Sequence, residues 1–181
     1  MAILDHDGTA YTPVKNVFDH DGTTFTKIKQ GFDHDGTAYT QVYSAELDVL
    51  ADGGWTKIGN ESYIQTLSDE EVTIVAKTSG GNARIYKVVD VTNYSTLTLT
   101  YELSYRYGHT FVGLYKTEPD YLGGDPAAGK YLAGETGSLS ETVSIDVSGL
   151  TGNYFAVIGA YCGTSASSGH GTTKCTKFIL E

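Results

Sequence analysis

The sequence predicts an all-β protein, with short N-terminal β-hairpin repeats followed by an antiparallel β-sandwich of jelly-roll type. Three observations predict it. The motif DHDGT occurs at Asp5 to Thr9, Asp19 to Thr23 and Asp33 to Thr37, a period of 14 residues. Beyond the repeats, apolar and polar residues alternate, most plainly from Thr96 to Tyr107. The composition agrees: 14 Tyr and 22 Gly against 1 Met, 1 Trp and 3 Pro among 181 residues is the usage of pleated strands joined by tight turns.

The repeats come first in the chain. Leu4, Phe18 and Phe32 precede the motif, Tyr11, Phe25 and Tyr39 follow it, and Val14, Ile28 and Val42 come three residues later. Asp-Gly between strand-like runs is a hairpin signal, because Gly accepts φ > 0 and Asp tolerates it through a local hydrogen bond. Each repeat is therefore expected to be two short strands about a turn, and the three together a six-strand meander. Units this small cannot bury their aromatic residues alone. Tyr11, Phe18, Phe25, Phe32 and Tyr39 are thus expected to serve attachment or oligomerisation. Residues 1–44 are expected to form an attachment segment and residues 45–181 a sandwich domain.

In the second region strands are expected at Ser62 to Leu67, Val72 to Lys77, Ala83 to Val91, Thr96 to Tyr107, Thr110 to Lys116, Glu141 to Val147, Tyr154 to Cys162 and Cys175 to Leu180. From Thr96 to Tyr107, Leu97, Leu99, Tyr101, Leu103, Tyr105 and Tyr107 share one face, which makes it the core face. Tyr154 to Cys162 is apolar on both phases, as a central strand of a sandwich is. One stretch breaks the rhythm. Thr117 to Ser140 is rich in Gly and reads as a long loop of the kind that carries function.

The formal net charge is −10, from 12 Lys plus Arg against 22 Asp plus Glu, so nucleic acid and anionic membrane surfaces are poor partners. MAILDHDGTA shows no apolar segment, so no export signal is expected and release would follow lysis. No stretch approaches the ~18 apolar residues of a membrane span. Cys162 and Cys175 flank GTSASSGHGTTK at apparent strand ends. One disulfide between them and two free buried thiols remain the alternatives.

The acidic repeats invite a calcium reading, which fails on spacing. Counted from Asp5, the sixth position of an EF-hand loop is Ala10 instead of Gly, and the twelfth is Asn16 instead of Glu. His6, His20 and His34 recur beside carboxylates and are the candidates for a transition metal. Turn hydrogen bonds account for the acidic residues more simply, so no metal or other cofactor is expected. GxSxG, HExxH, Walker and GxGxxG motifs are absent from the sequence, and His109 and His170 read as isolated. The chain is therefore expected to be non-catalytic. The sequons at Asn60 and Asn93 read as chance matches.

A saccharide site needs aromatic faces with polar groups beside them. Tyr121, Tyr131, Asp120, Asp125, Trp55 and Tyr107 are the candidates, with Tyr105, Tyr115, Arg106 and Glu102 behind them. Tyr121 and Tyr131 stand out because the Gly-rich loop offers no strand phase to bury them.

The run FDHDGTTFTKIKQGFDHDGTAYTQVYSA resembles the tandem β-repeats at the start of accessory structural proteins of tailed bacteriophages and prophages. VVDVTNYSTLTLTYELS, VSIDVSGLTGNYFAVIGAY and CTKFILE are similar to the jelly-roll, carbohydrate-binding-like domains of such proteins. The resemblance implies a virion component of head-fibre, tail or decoration type. It also implies a homotrimer whose repeats hold to capsid or tail proteins while the sandwich is displayed, with a cell-surface or mucosal glycan as its partner. A purely structural decoration role and a glycan-degrading enzyme are the alternatives.

Overall fold

The computed structural model describes residues 46–181 except 52, 78, 119, 121–122 and 164–168, together with the backbone of six short strands between residues 4 and 44. The chain divides into two compact units, residues 1–47 with Glu181, and residues 48–180.

In the first unit the strands are β1 (Leu4–His6), β2 (Tyr11–Pro13), β3 (Phe18–His20), β4 (Phe25–Lys27), β5 (Gln30–His34) and β6 (Tyr39–Ser44). They pair as β1 with β2, β3 with β4 and β5 with β6, all antiparallel. Each repeat is one hairpin, as expected. His6 stands opposite Tyr11, His20 opposite Phe25 and His34 opposite Tyr39, so the repeat is a repeat of register as well as of sequence. The expected six-strand meander is not present among the described residues. Among the described residues the three hairpins are separate two-stranded sheets, and only the third is lengthened, with a bulge between Gly31 and Phe32. Asp7, Asp21 and Asp35 with the glycines that follow them, on which the turn reading rests, lie outside the described residues.

β7 (Leu47–Asp48) straddles the division, and the second unit continues with β8 (Thr56–Gly59), a 3-10 turn at Glu61–Tyr63, and β9 (Ile64–Leu67). It continues with β10 (Val72–Ala76), β11 (Asn82–Asp90), β12 (Thr96–Tyr115), β13 (Ala128–Asp146), β14 (Asn153–Cys162) and β15 (His170–Leu180). β12 organises the rest. Residues 97–106 of β12 pair with β15, residues 108–115 pair with β14, and β13 runs beside β12 along nearly its whole length. One sheet is therefore β9-β10-β15-β12-β13 and the other β8-β11-β14-β12-β13, with the two halves of the β12-β13 ribbon serving one sheet each. Apart from the β9-β10 and β12-β13 hairpins, successive connections pass from sheet to sheet in the order of a jelly roll, the fold class the sequence predicts.

The bend falls at Tyr107, whose φ of 51° lies in the left-handed region, followed by Gly108, where a Cβ would run into the Tyr161 carbonyl. The strands expected at Thr96 to Tyr107 and Thr110 to Lys116 are consequently one bent strand. Tyr107 leaves the core phase and is 42% exposed.

The expected loop from Thr117 to Ser140 is also corrected, because residues 128–140 belong to β13. Gly129 and Gly137 serve close approaches within the sheet. Gly129 faces Gly113 with no room for a Cβ on either, and at Gly137 a Cβ would stand 2.7 Å from the Tyr105 ring that covers it.

The core lies between the sheets. Leu97, Leu99, Leu103, Val72, Ile74, Phe178 and Leu180 fill it from one side, and Ile85, Val112, Leu114, Ala156 and Ile158 from the other. Thr173 ties the layers, its hydroxyl donating to the Gly159 carbonyl at 2.6 Å.

Cys162 and Cys175 are free, buried thiols. Cys162 stands opposite Gly108 and Cys175 opposite Tyr101, seven positions apart along β12. At about 3.3 Å per residue that is roughly 20 Å, far beyond the ~7 Å Cα limit of a disulfide.

Candidate functional site

Along a sandwich strand the outward phase is normally polar. On the second sheet it is aromatic. The register places His109, Phe111 and Tyr115 of β12, Tyr131 of β13, Phe155, Val157 and Tyr161 of β14, and Arg84, Tyr86 and Val88 of β11 on the face turned away from the core. Phe111, Tyr115 and Val157 are buried there, with Tyr86, Tyr131 and Phe155 half-buried around them. The rings meet edge to face: Phe111 with Tyr115 at 6.2 Å and Tyr86 with Phe155 at 5.4 Å.

The connection from β12 to β13 meets this face at Glu118, Gly123 and Gly124. Gly123, at φ 74°, lies directly on the Phe111 ring, where a Cβ would stand 2.7 Å from a ring carbon. The Tyr115 hydroxyl donates to the Gly124 carbonyl at 3.0 Å, and Glu118 stands 3.9 Å from the Arg84 guanidinium. The connection thus brings Glu118, Asp120 and Asp125, all exposed, to the edge of the aromatic surface. Arg84 is largely buried, and its Nε has no hydrogen-bond partner among the described residues.

His109 stacks on Tyr131 at 5.7 Å and lies 5.3 Å from Tyr161. Burial pushes its pKa below the ordinary histidine value, with Asp120 pulling the other way. A neutral imidazole can accept the Tyr131 hydroxyl proton at Nδ1, and the two atoms are 2.5 Å apart. Tyr131 is held protonated by burial and by the negative charges of Asp125 and Asp120. Burial does the same to Tyr115.

Of the candidates from sequence, Tyr131, Asp120 and Asp125 come together here, and Tyr115 lies beneath them. Tyr131 sits on β13 instead of in a loop, and Tyr121 lies outside the described residues. Trp55 and Tyr107 stand elsewhere. Trp55 helps line a separate cavity of about 280 Å³ with Leu50, Leu67 and Asp69; Lys87 stands 5.1 Å over its ring, and its buried Nε1 has no hydrogen-bond partner among the described residues. Tyr107 occupies the bend, with the Arg106 guanidinium 5.7 Å from its ring. Sequence reasoning missed His109, Phe111, Tyr161, Arg84, Tyr86 and Phe155. Their signal was the doubly apolar phase of Tyr154 to Cys162, which marks a strand with a second apolar face as well as a central one.

A comparison with protein-family models finds no match, and a comparison with curated proteins finds none. Among solved structures, one of infectious bursal disease virus Gt strain overlaps 94% of this chain and 41% of its own, at 9% identity and a TM-score of 0.25. One of the Gx strain overlaps 91% and 48%, at 10% identity and a TM-score of 0.18. The chain spans less than half the length of each. These superpositions are loose, and the jelly-roll order stands on the strand registers themselves.

Proposed function

We propose that the protein is a non-catalytic virion component whose jelly roll binds glycan on the aromatic outward face of its second sheet. The hairpin repeats then anchor it to capsid or tail proteins, in a homotrimer. One observation carries the binding reading: aromatic residues occupy a phase that solvent would fill with polar ones, beneath a connection bearing Glu118, Asp120 and Asp125. Half-buried rings offer a flat apolar surface to a pyranose, and carboxylates at the rim accept from its hydroxyls. The bacteriophage-like repeats support the anchoring role, since three two-stranded hairpins have too little core to stand alone.

A glycan array probed with the full chain tests the binding reading. At least one glycan is expected to bind, with Tyr131→Ala weakening it about tenfold or more, the loss of one aromatic contact and a hydrogen bond. An array with no bound glycan would leave the purely structural role in its place. Deletion of residues 1–44 tests the anchor, and is expected to abolish incorporation into phage particles. Undiminished incorporation of the truncated chain would refute that part.

A further inference from the structure

The outward face of the first sheet holds a second feature, independent of the aromatic face. A groove of about 420 Å³ crosses four strands there, lined by Thr73 of β10, Thr172 and Lys174 of β15, Glu102 and Ser104 of β12, and Ser138 and Ser140 of β13, together with Leu103 and Leu139. The register explains the lining: Glu102 stands between Lys174 and Ser140, and Ser104 between Thr172 and Ser138. The volume falls within the ~300–1,000 Å³ of small-molecule sites.

The hydroxyls of this face behave differently inside and outside the groove. Two registers away on the same ladder they satisfy each other, Thr98 with Ser144 at 3.3 Å and Thr100 with Thr142 at 2.9 Å. In the groove, the hydroxyls of Ser104, Ser138, Ser140 and Thr172 have no hydrogen-bond partner among the described residues. Four hydroxyls that each donate and accept therefore converge on one space. The charges beside them are already committed: Lys174 pairs with Glu71 at 3.0 Å, Thr73 donates to Glu71 at 2.8 Å, and Glu102 lies near the same ammonium. With one cation against two carboxylates the groove is net negative, on a chain of net charge −10. That field turns away phosphates, sulfates and uronates.

We infer that this hydroxyl-lined groove is a second ligand site, for a neutral saccharide. Vicinal sugar hydroxyls are donors and acceptors at once and match the free Ser and Thr groups, while neutrality avoids the repulsion that an anionic chain would meet. Glu102 accepts from the ligand at the Lys174 end.

The test uses the full chain, ¹⁵N-labelled, titrated separately with cellohexaose, maltohexaose and the N-acetylglucosamine hexamer, with hexagalacturonate as the anionic control. At least one neutral probe is expected to shift the amides of residues 102–104, 138–140 and 172–174, and hexagalacturonate is expected to leave them unmoved. Ser140→Val and Thr172→Val, each with an otherwise unchanged spectrum, are expected to weaken that binding about threefold to tenfold, the worth of a hydrogen bond. Tyr131→Ala is expected to leave it unchanged, which separates this groove from the aromatic face. The inference is overturned if no neutral probe moves these amides, if hexagalacturonate moves them equally, or if both valine variants bind as the parent does.

Discussion

The Phe111 ring is fully buried although it faces away from the sandwich core, because glycine leaves it room on both sides. Gly159 on β14 stands opposite it, and a Cβ there would fall inside van der Waals contact of two ring carbons; Gly123 in the connection closes over the ring from outside. Gly159 has no unusual φ, so its need for glycine is purely steric. Gly159→Ala is expected to cost about 1–3 kcal/mol, the usual penalty of an overpacked site. Phe111→Leu in the same chain should recover part of that loss, a coupling that urea unfolding of the double-mutant cycle would measure. Additive losses would mean that the methyl group and the ring do not compete for space. The same ring supports Tyr131, which stands opposite it, so these variants should also weaken any ligand held on the aromatic face.

At the scale of elements, the bent strand β12 is the device that makes two sheets from one ribbon. Tyr107 adopts φ 51° there, its carbonyl accepts from Gly163 N at 2.6 Å, and its side chain is exposed. A side chain in that conformation is strained relative to glycine by about 1 kcal/mol, and a β-branched one by more. Tyr107→Gly is therefore expected to be neutral or slightly stabilising, and Tyr107→Val destabilising by about 1–2 kcal/mol, as thermal unfolding would report. A marked loss in the glycine variant would show that packing of the ring, and not the bend, fixes this position. The bend is also where legibility stopped. Alternation from Leu97 to Tyr105 identified the core face correctly, since burial on one side imposes a period of two. Gly108, Gly129, Gly134 and Gly137 looked like loop residues because glycine normally interrupts strands. Here Gly108, Gly129 and Gly137 mark where two backbones or an aromatic ring come too close for a Cβ, while Gly134, at φ 132°, holds a backbone conformation that side chains rarely adopt. Reading Gly129 to Gly137 as loop put Tyr131 in the wrong element, although Asp120 and Asp125 do stand near it. His109 read as isolated because its partners, Tyr131 and Tyr161, are far away in sequence and adjacent only through the β12 registers. Strand order was illegible for the same reason.

Across the whole molecule, burial acts in one direction on the acids that titrate above neutrality. It raises Tyr101, Tyr115 and Tyr131, raises Cys162, and pushes Cys175 up to about 12. For Tyr101 and Tyr131 the carboxylates beside them add to the shift, Tyr101 through its hydrogen bond to Glu141. Each group keeps its proton in the folded chain at a pH where the unfolded chain, with cysteines near 8.5 and tyrosines near 10, has released it. The folded state then binds more protons than the unfolded one, so unfolding free energy falls as pH rises. Their contribution is complete below pH about 8.5 and is lost progressively above it. Urea midpoints measured from pH 7 to 10.5 are accordingly expected to stay level and then decline. General repulsion in a chain of net charge −10 pushes the same way, but salt screens it. The decline should therefore persist at 1 M salt if burial of these protons causes it, and vanish if repulsion does. Cys175→Ala separates the cause further: it lowers the whole curve by opening a cavity, yet its slope between pH 9 and 10.5 should be shallower than that of the parent, because one of the retained protons is gone. An unchanged slope would mean that Cys175 ionises in the folded protein as easily as in the unfolded chain, contrary to its complete burial beside Tyr101 at the centre of the first sheet.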